Sequence, residues 1–259
     1  MKQIADRNSI PYKHNNLEDL IRGHLSLLDK SNNNFGKKKL EICHAGSFLV
    51  LLNSDLIIDK VGEQPDFILK NSKNEYIGLE HEILVDPFYK RIEGSFGDLI
   101  KDVEIVFQRL YPDEKFLLHV FGKYNVDFSK AEKHLIIEKL VSIIEDFVYR
   151  NTFEENDFIE RLALGKSSRL IFSPNLGLYV QMNLYGDILV KSIEKKNKKL
   201  LNYISNSGIN RHWLLIVIGS LGHSSFELPS IDNIGFEIQS GFDKIYLLED
   251  YNSNLYELK

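Results

Sequence analysis

Residues 63–85 read EQPDFILKNSKNEYIGLEHEILV and hold the most informative structural pattern in the chain. Two apolar runs, residues 66–70 and 76–85, are separated by residues 71–75, whose Asn, Ser and Lys content is typical of a turn. The pattern predicts two antiparallel strands joined by a short loop. The acidic residues in it are therefore expected on a sheet, where strand geometry fixes the face that each one takes.

Side chains alternate between the two faces of a strand, so Glu80 and Glu82 share one face and His81 takes the other. With residues 71–75 as the loop, the strand register places Asp66 directly opposite Glu80. Side chains in such a position have Cβ atoms about 4.5–5.5 Å apart. The hairpin is therefore predicted to bring three carboxylates together.

This carboxylate cluster predicts a bound divalent cation. Opposed like charges destabilise a sheet, and ionised acids resist burial unless a counter-charge offsets them. Mg²⁺ fits best, because it prefers one or two carboxylates together with water and phosphate oxygens, and Mn²⁺ is the alternative. A metal ion there would activate water for phosphodiester hydrolysis. The competing interpretation is a solvated acidic sheet face, and it is disfavoured by the apolar residues around the acids: Phe67, Ile68, Leu69, Leu79, Ile83 and Leu84.

The spacing of Pro65-Asp66 and Glu80-x-Glu82 resembles the catalytic motif of the PD-(D/E)XK nuclease superfamily, which includes many restriction endonucleases. By position, Asp66 corresponds to the first acid and Glu80 to the second, and Glu82 stands where a lysine is usual. The resemblance implies that Asp66 and Glu80 are the metal ligands of a Mg²⁺-dependent endonuclease acting on DNA. It leaves open whether Glu82 orients the attacking water, as a base or through a second metal ion, or whether a lysine from elsewhere takes that role.

Two other segments agree with this resemblance. Glu41, in the apolar run LEICHAGSFLVLL at 40–52, matches an acid that many members carry on a helix before the core. A Lys-rich helix followed by Trp213-Leu-Leu-Ile216 matches a pattern found downstream in many nuclease-like proteins. The likeness covers residues 40–85 and 187–218. It implies a restriction-endonuclease-like core and a role in restriction or phage defence, and it is compatible with a homodimer.

Helical and strand patterns interleave along the chain, which predicts an α/β fold with a mixed central β-sheet flanked by α-helices. No linker or repeat interrupts the sequence, so we expect a single domain over residues 1–259, with a catalytic core at about 40–125 and the segment 186–259 packed onto it. The predicted helices, the first capped by Asn15 or Asn16 and the fourth by Ser129, cover residues 16–29, 39–53, 95–110, 129–149 and 186–205. Besides the hairpin, the predicted strands cover residues 116–121, 169–172, 177–182, 212–219, 243–249 and 254–258.

The predicted helix 186–205 has a basic side and an apolar side. Lysines fall mostly on one side, and the other side holds Leu189, Ile193, Leu200 and Ile204. We take Lys195 and Lys198 as candidate contacts to nucleic-acid phosphates. The competing interpretation is a solvated helix face, where lysine is common.

The charge balance offers no bulk attraction to nucleic acid. The chain carries 32 Lys and Arg against 37 Asp and Glu, a net charge of −5, so binding to DNA has to depend on a local basic patch. The N-terminus MKQIADRNSIPYK lacks the apolar core of a signal peptide, and no apolar run is long enough to span a bilayer. With a single cysteine, Cys43, we expect a cytoplasmic protein that does not associate with membranes.

Two further functions stay open. A nuclease-like fold without catalysis, acting as a binding or regulatory module, fits the missing lysine at position 82 and the acidic net charge. A carboxylate-pair glycosidase fits the closeness of Glu80 and Glu82, but no cluster of sugar-binding aromatic residues lies near them in sequence. The histidines show no metal-type spacing, so the sequence does not support a zinc site.

Overall fold

A computed structural model describes residues 1–6, 8, 17–123, 125–128, 132–176, 182–219, 222–228 and 238–259. The predicted helix caps at Asn15 or Asn16 and at Ser129 lie outside these residues, as do residues 177–181 of a predicted strand. The chain divides into two compact units. The larger unit consists of Met1–Leu84, Asn183–Ser220 and Phe226–Lys259, and the smaller unit of Val85–Met182 and Leu221–Ser225.

Six α-helices occur in the described residues: α1 Leu17–Ser26, α2 Phe35–Leu52, α3 Pro87–Leu110, α4 Lys133–Arg150, α5 Gly186–Asn197 and α6 Leu200–Ser207. The strands are β1 Lys2–Ala5, β2 Ile57–Val61, β3 Phe67–Lys70, β4 Tyr76–Ile83, β5 Leu117–Gly122, β6 Ile159–Gly165, β7 Ile171–Leu176, β8 Met182–Asn183, β9 His212–Ile218, β10 Phe226–Glu227, β11 Lys244–Glu249 and β12 Asn254–Glu257. None of these helices has the length and apolar character needed to cross a lipid bilayer.

The larger unit is built on a seven-stranded sheet with the order β1-β12-β11-β9-β4-β3-β2. Strand β9 runs parallel to both of its neighbours, β4 and β11. The other pairs in the sheet are antiparallel. All seven residues of β9, HWLLIVI, are buried, as expected for a parallel strand that is covered on both faces. The predicted α/β class, with a mixed sheet flanked by helices, is confirmed.

Helices cover both faces of this sheet. On one face, Phe48 of α2 packs in an apolar cluster with Leu79 of β4 and Leu215 of β9. On the opposite face, the ring of Tyr203 in α6 lies 6.4 Å from that of His212 in β9, measured between ring centroids. Strand β4, which carries the predicted acidic residues, therefore lies between two helical layers.

The smaller unit has a three-stranded sheet with the order β6-β5-β7, and α3 and α4 share its apolar core. Its chain segment begins at Val85, three residues after Glu82, and the main chain re-enters the larger unit at Asn183, just before α5. Of the predicted catalytic core, residues 40–84 belong to the larger unit and the remainder to the smaller unit. The expectation of a single domain over residues 1–259 stays a prediction.

Two helices begin earlier than predicted. Helix α2 begins at Phe35 instead of residue 39, which puts Lys37 and Lys38 on the helix. Helix α3 begins at Pro87 instead of residue 95. Its N-terminus is capped by Asp86, whose carboxylate accepts the backbone N–H groups of residues 88 and 89 at 2.9 and 3.0 Å. Proline suits the first helical position, where no N–H partner is needed.

The predicted continuous helix over residues 186–205 is wrong, because α5 and α6 are separated by a turn. The backbone N–H of Lys199 donates to the carbonyl of Lys196 at 2.9 Å. This bond joins residues three positions apart and closes a tighter turn than the four-residue spacing of an α-helix. The side-chain oxygen of Asn197 accepts the backbone N–H of Gly241 at 2.8 Å. Gly241 is distant from the helix in sequence, so the periodicity that predicts the helix cannot reveal this bond.

Gly78 in β4 is expected to be intolerant of a larger side chain. A Cβ atom there would lie 2.5 Å from the ring of His212, which is buried and held by the carbonyl of Ile209 at 2.9 Å. Gly78→Ala should therefore lower the free energy of unfolding by about 1–3 kcal/mol, measured by urea denaturation. Gly23→Ala in α1, where the added methyl would have no neighbour within 4 Å, is the matched control and should stabilise by about 0.5–1 kcal/mol. Equal effects of the two substitutions would contradict this account of β4 packing.

Candidate active site

The register of the β3–β4 hairpin determines where the acidic residues meet. The strands pair in the register that the sequence predicts, from Lys70 opposite Tyr76 to Phe67 opposite Leu79. Asp66 lies one residue before β3, and its Oδ2 accepts the backbone N–H of His81 at 2.9 Å. The carboxylate of Asp66 is therefore turned toward β4.

A cleft of about 310 Å³ opens beside this hairpin. The four predicted catalytic residues all line it, namely Glu41, Asp66, Glu80 and Glu82. The rest of the lining consists of Lys37, Glu63, Gln64, His81, Ile83, Lys196, Lys199 and Tyr203. Glu41, Asp66 and Glu80 are almost completely buried, at 3%, 8% and 4% exposure. Three carboxylates therefore share a confined space within the larger unit.

Lys196 of α5 supplies the positive charge at the centre of this cluster. Its Nζ lies 2.7 Å from Oε1 of Glu80, 3.0 Å from Oε2 of Glu82 and 2.8 Å from the carbonyl oxygen of His81. Burial by itself would lower the pKa of Lys196, but Glu80 and Glu82 raise it above its usual value. The ammonium group is therefore charged at neutral pH.

Glu80 has one occupied oxygen and one without a partner. Its Oε1 accepts from Lys196 and also from the hydroxyl of Tyr203, at 2.9 Å. Burial, followed by the charge of Glu80, raises the pKa of Tyr203, so this hydroxyl remains a donor. Oε2 of Glu80 is buried and has no hydrogen-bond partner among the described residues. A buried carboxylate oxygen without a donor is costly unless a ligand satisfies it.

Helix α2 forms another wall of the site. Nζ of Lys38 lies 2.7 Å from Glu41, 3.4 Å from Glu63 and 3.8 Å from Asp66. Although burial opposes it, the carboxylate of Glu41 contributes most to raising the pKa of Lys38. Lys38 therefore links the acid on α2 to the acid before β3. Lys37, on the exposed side of the helix, is 3.6 Å from Glu41.

Asp66 has a pKa that is shifted by its burial and by the neighbouring carboxylates. Burial, together with the charges of Glu80 and Glu41, raises the pKa of Asp66 from 3.8 to about 7. The N–H bond from His81 and the ammonium of Lys196 act in the opposite direction without overcoming it. At neutral pH the carboxyl group of Asp66 is therefore divided between its protonated and ionised forms.

His81 faces away from the carboxylates, as the strand alternation predicts. One of its ring nitrogens, Nε2, is 3.0 Å from Nδ1 of His44 on α2. Burial lowers the pKa of both rings, so the pair is neutral at pH 7. In the part of the chain that the structure describes, no three His, Cys, Asp or Glu side chains form a ready-made metal cage.

The two predicted nucleic-acid contacts lie in different surroundings. Nζ of Lys195 is 3.2 Å from Oε1 of Glu82, so this lysine joins the acidic site from its exposed side. Lys198 lies in the turn between α5 and α6, is exposed and does not line the cleft. Its neighbour Lys199 does line the cleft.

Sequence reasoning missed Lys196, Lys38 and Tyr203. For Lys196 a signal was present, because it follows Ile193 by three positions and precedes Leu200 by four. That spacing puts a lysine on the apolar stripe of the helix, and a buried lysine requires an acidic partner. Lys38 precedes the helix that the sequence predicts from residue 39, and nothing in the local sequence marks Tyr203.

Comparisons with protein-family models, with curated proteins and with solved structures find no match for this chain. The function of the site therefore has to be argued from its own geometry.

The shifted pKa of Asp66 predicts a specific dependence of stability on pH. A carboxyl group whose pKa is raised from 3.8 to about 7 on folding stabilises the fold fully below pH 3.8. That contribution is lost as the pH rises through 7, because the folded state must then give up a proton that it binds more tightly than the unfolded chain does. In EDTA, the free energy of unfolding should fall between pH 5 and pH 8, and Asp66→Asn should remove most of this decrease. Urea denaturation at the two pH values measures it, and an unchanged decrease in the variant would contradict the assignment.

Proposed function

We propose that this chain is a Mg²⁺-dependent nuclease of the PD-(D/E)XK kind that hydrolyses phosphodiester bonds in DNA. One observation carries the proposal: Asp66, Glu80, Glu82 and Glu41 line one cleft around a buried lysine. The order of elements adds support. An acid-bearing helix (α2), a hairpin with acids just before β3 and on β4, a Lys-rich helix (α5) and the WLLI strand (β9) come in the order that the resemblance implies, with other elements, including the smaller unit, between them. A restriction-endonuclease-like core, a defence role and a homodimer are parts of this proposal that depend on the resemblance.

The donor set suits Mg²⁺. This ion needs only one or two carboxylates, with the other positions left to water and phosphate oxygens, so a protein cage of three ligands is not required. Asp66 and Glu80 would hold it, since Oε2 of Glu80 lacks a partner and the charge on Asp66 lacks full compensation. When bound, Mg²⁺ supplies Lewis-acid polarisation of a phosphoryl oxygen and an easily ionised water.

Lys196 is the residue that we propose for the role of the usual motif lysine. Its ammonium lies between Glu80 and Glu82, beside the carboxylates that would hold the metal ion. A charged donor at this position stabilises the negative charge that develops on the phosphoryl oxygens. Glu82 fixes this lysine in place, and its carboxylate is also available to accept a proton from the attacking water.

The remaining residues position this group. Tyr203 and Lys196 both hold Oε1 of Glu80, which fixes the direction of its free oxygen. Glu41 and Asp66 both lie beside Lys38, so helix α2 is tied to the start of β3. Such supporting contacts hold reacting groups within the narrow range of geometry that catalysis needs.

A binding or regulatory module without catalysis is the second candidate. The favouring observation is that Lys196 already bonds Glu80 and Glu82 at 2.7 and 3.0 Å, so an ammonium group occupies part of the space for a cation. In that case the lysine would replace the metal ion instead of assisting it. The two functions differ in whether the chain binds a divalent cation and cuts nucleic acid.

Cleavage of nucleic acid is the direct test. With Mg²⁺ or Mn²⁺, the full chain should cut DNA. Asp66→Asn and Glu80→Gln should each lower the rate by about 100-fold or more, because each replaces a charged metal ligand by a neutral amide of the same shape. Lys196→Gln should lower kcat by about 100-fold, the effect of losing one charged donor to the transition state. Lys191→Ala, on the exposed side of α5 where it pairs with Asp187, is the control and should retain the wild-type rate.

Activity that survives both Asp66→Asn and Glu80→Gln would refute the assigned roles. RNA and DNA should be compared as single strands and as duplexes, with product ends identified by mass spectrometry. Cleavage of RNA and not of DNA would show that the proposed substrate is wrong, and the assigned roles of Asp66 and Glu80 would stand.

Cation binding separates the two candidate functions without any substrate. For the nuclease, Mn²⁺ at 100 times its Kd should raise the free energy of unfolding by about 2.7 kcal/mol, and Asp66→Asn should abolish the increase. Urea denaturation with and without Mn²⁺ measures this difference. A chain that shows no such stabilisation, and in which calorimetry detects no cation binding, would favour the module without catalysis.

A further inference from the structure

Two exposed lysines lie at the mouth of the carboxylate cleft. Lys37 comes from α2, and its side chain is 72% exposed. Lys199 comes from the turn between α5 and α6 and is also exposed. Both line the cleft, whereas their exposed neighbours Lys39 and Lys198 do not.

These lysines approach the cleft from two different sides. Helix α2 packs on the face of β4 that carries His81, since His44 bonds its ring there. Helices α5 and α6 pack on the opposite face, where Lys196 and Tyr203 bond Glu80. Ammonium groups on Lys37 and Lys199 therefore flank the carboxylates.

The ion pairs of the cleft show which of its lysines are left to bind a substrate. Five acids, Glu41, Glu63, Asp66, Glu80 and Glu82, face three lysines, Lys37, Lys196 and Lys199. Lys38, which contacts Glu41, Glu63 and Asp66, and Lys195, which contacts Glu82, add two further positive charges, so each of the five acids has a lysine partner other than Lys37 or Lys199. Lys196 is buried and committed to the acids. Lys37 has only a partner at 3.6 Å, and Lys199 has no carboxylate within 4.0 Å among the described residues.

We infer that Lys37 and Lys199 bind the phosphates on either side of the phosphodiester that is cut. The inference depends on the proposed nuclease function and specifies its substrate. The nucleic-acid strand crosses the cleft from the α2 side to the α5–α6 turn, with one phosphate against each lysine. A lysine ammonium is a flexible point charge that binds phosphate without reading sequence. The substrate is therefore an internal bond of a polynucleotide, and a lone phosphodiester gains nothing from either lysine.

Two substrates of different size test this inference. The first is a fluorescent oligonucleotide of about 20 nucleotides, long enough to place phosphates on both sides of the cut. The second is bis-(p-nitrophenyl) phosphate, a phosphodiester without neighbouring phosphates. Lys37→Ala and Lys199→Ala should each raise KM for the oligonucleotide roughly three- to tenfold and leave kcat within about twofold. Neither substitution should change the rate on the lone diester, whereas Asp66→Asn should abolish cleavage of both substrates.

Salt dependence provides a second readout that loss of folding would not imitate. Binding of the oligonucleotide can be measured by fluorescence anisotropy with Ca²⁺ in place of Mg²⁺. The logarithm of the association constant should fall linearly with the logarithm of the salt concentration. Each substitution should reduce the slope by about 0.7–0.9, the value for one lost phosphate contact. Lys39→Ala on α2 and Lys191→Ala on α5 each remove one exposed positive charge outside the cleft and should leave the slope unchanged.

The outcomes separate the two proposals. Variants of Lys37 and Lys199 that match the wild type in KM and slope, while Asp66→Asn still abolishes cleavage, would overturn the flanking-phosphate inference and leave the nuclease intact. A loss confined to Lys198→Ala would also overturn it and return the contact to the residue that sequence periodicity indicated. If the wild type cuts neither substrate, the proposed function itself fails.

Discussion

The buried ion pair between Lys196 and Glu80 is the interaction on which the site depends. Removing both charges from water costs several kcal/mol for each ion, and a single 2.7 Å contact offsets that cost only when other polar groups complete the bonding. Here Glu82, the carbonyl of His81 and the hydroxyl of Tyr203 do so. These contacts tie α5 and α6 to β4, and loss of Lys196 would leave the buried carboxylate of Glu80 without a positive charge beside it.

The site is not optimised for stability. Asp66, Glu80 and Glu41 bring carboxylates together in a confined space, and burial, followed by the charges of Glu80 and Glu41, raises the pKa of Asp66. A sequence selected for stability alone would place apolar or neutral residues there. Buried groups of like charge are unfavourable in a stable core but are typical of functional sites, where a bound ligand offsets the charge. A net charge of −5 is compatible with the proposed nucleic-acid substrate, because a phosphate group would interact with the few lysines at the cleft more strongly than with the average charge of the chain.

The insertion of the smaller unit explains why the two halves of the site are far apart in the sequence. The larger unit is interrupted after Leu84 and resumes at Asn183, so the smaller unit separates the acidic hairpin from the lysine helix. Glu80 and Lys196 are 116 positions apart and still in contact. Parallel pairing of β4 with β9 requires a long crossover, and the inserted unit forms part of that connection.

Local sequence patterns were sufficient to predict the α/β class, the β3–β4 register and the proximity of Asp66 to the acids of β4. These follow from local rules, namely strand alternation, turn composition and the pairing of adjacent strands. Tertiary structure alone decided that Lys196, Lys38 and Tyr203 complete the site, that the lysine helix breaks after Asn197, and that Lys199 replaces Lys198 at the cleft. These depend on contacts between segments far apart in the chain. Helical periodicity gives the face on which a lysine lies, but the partner across that face is set by how helices and sheet pack.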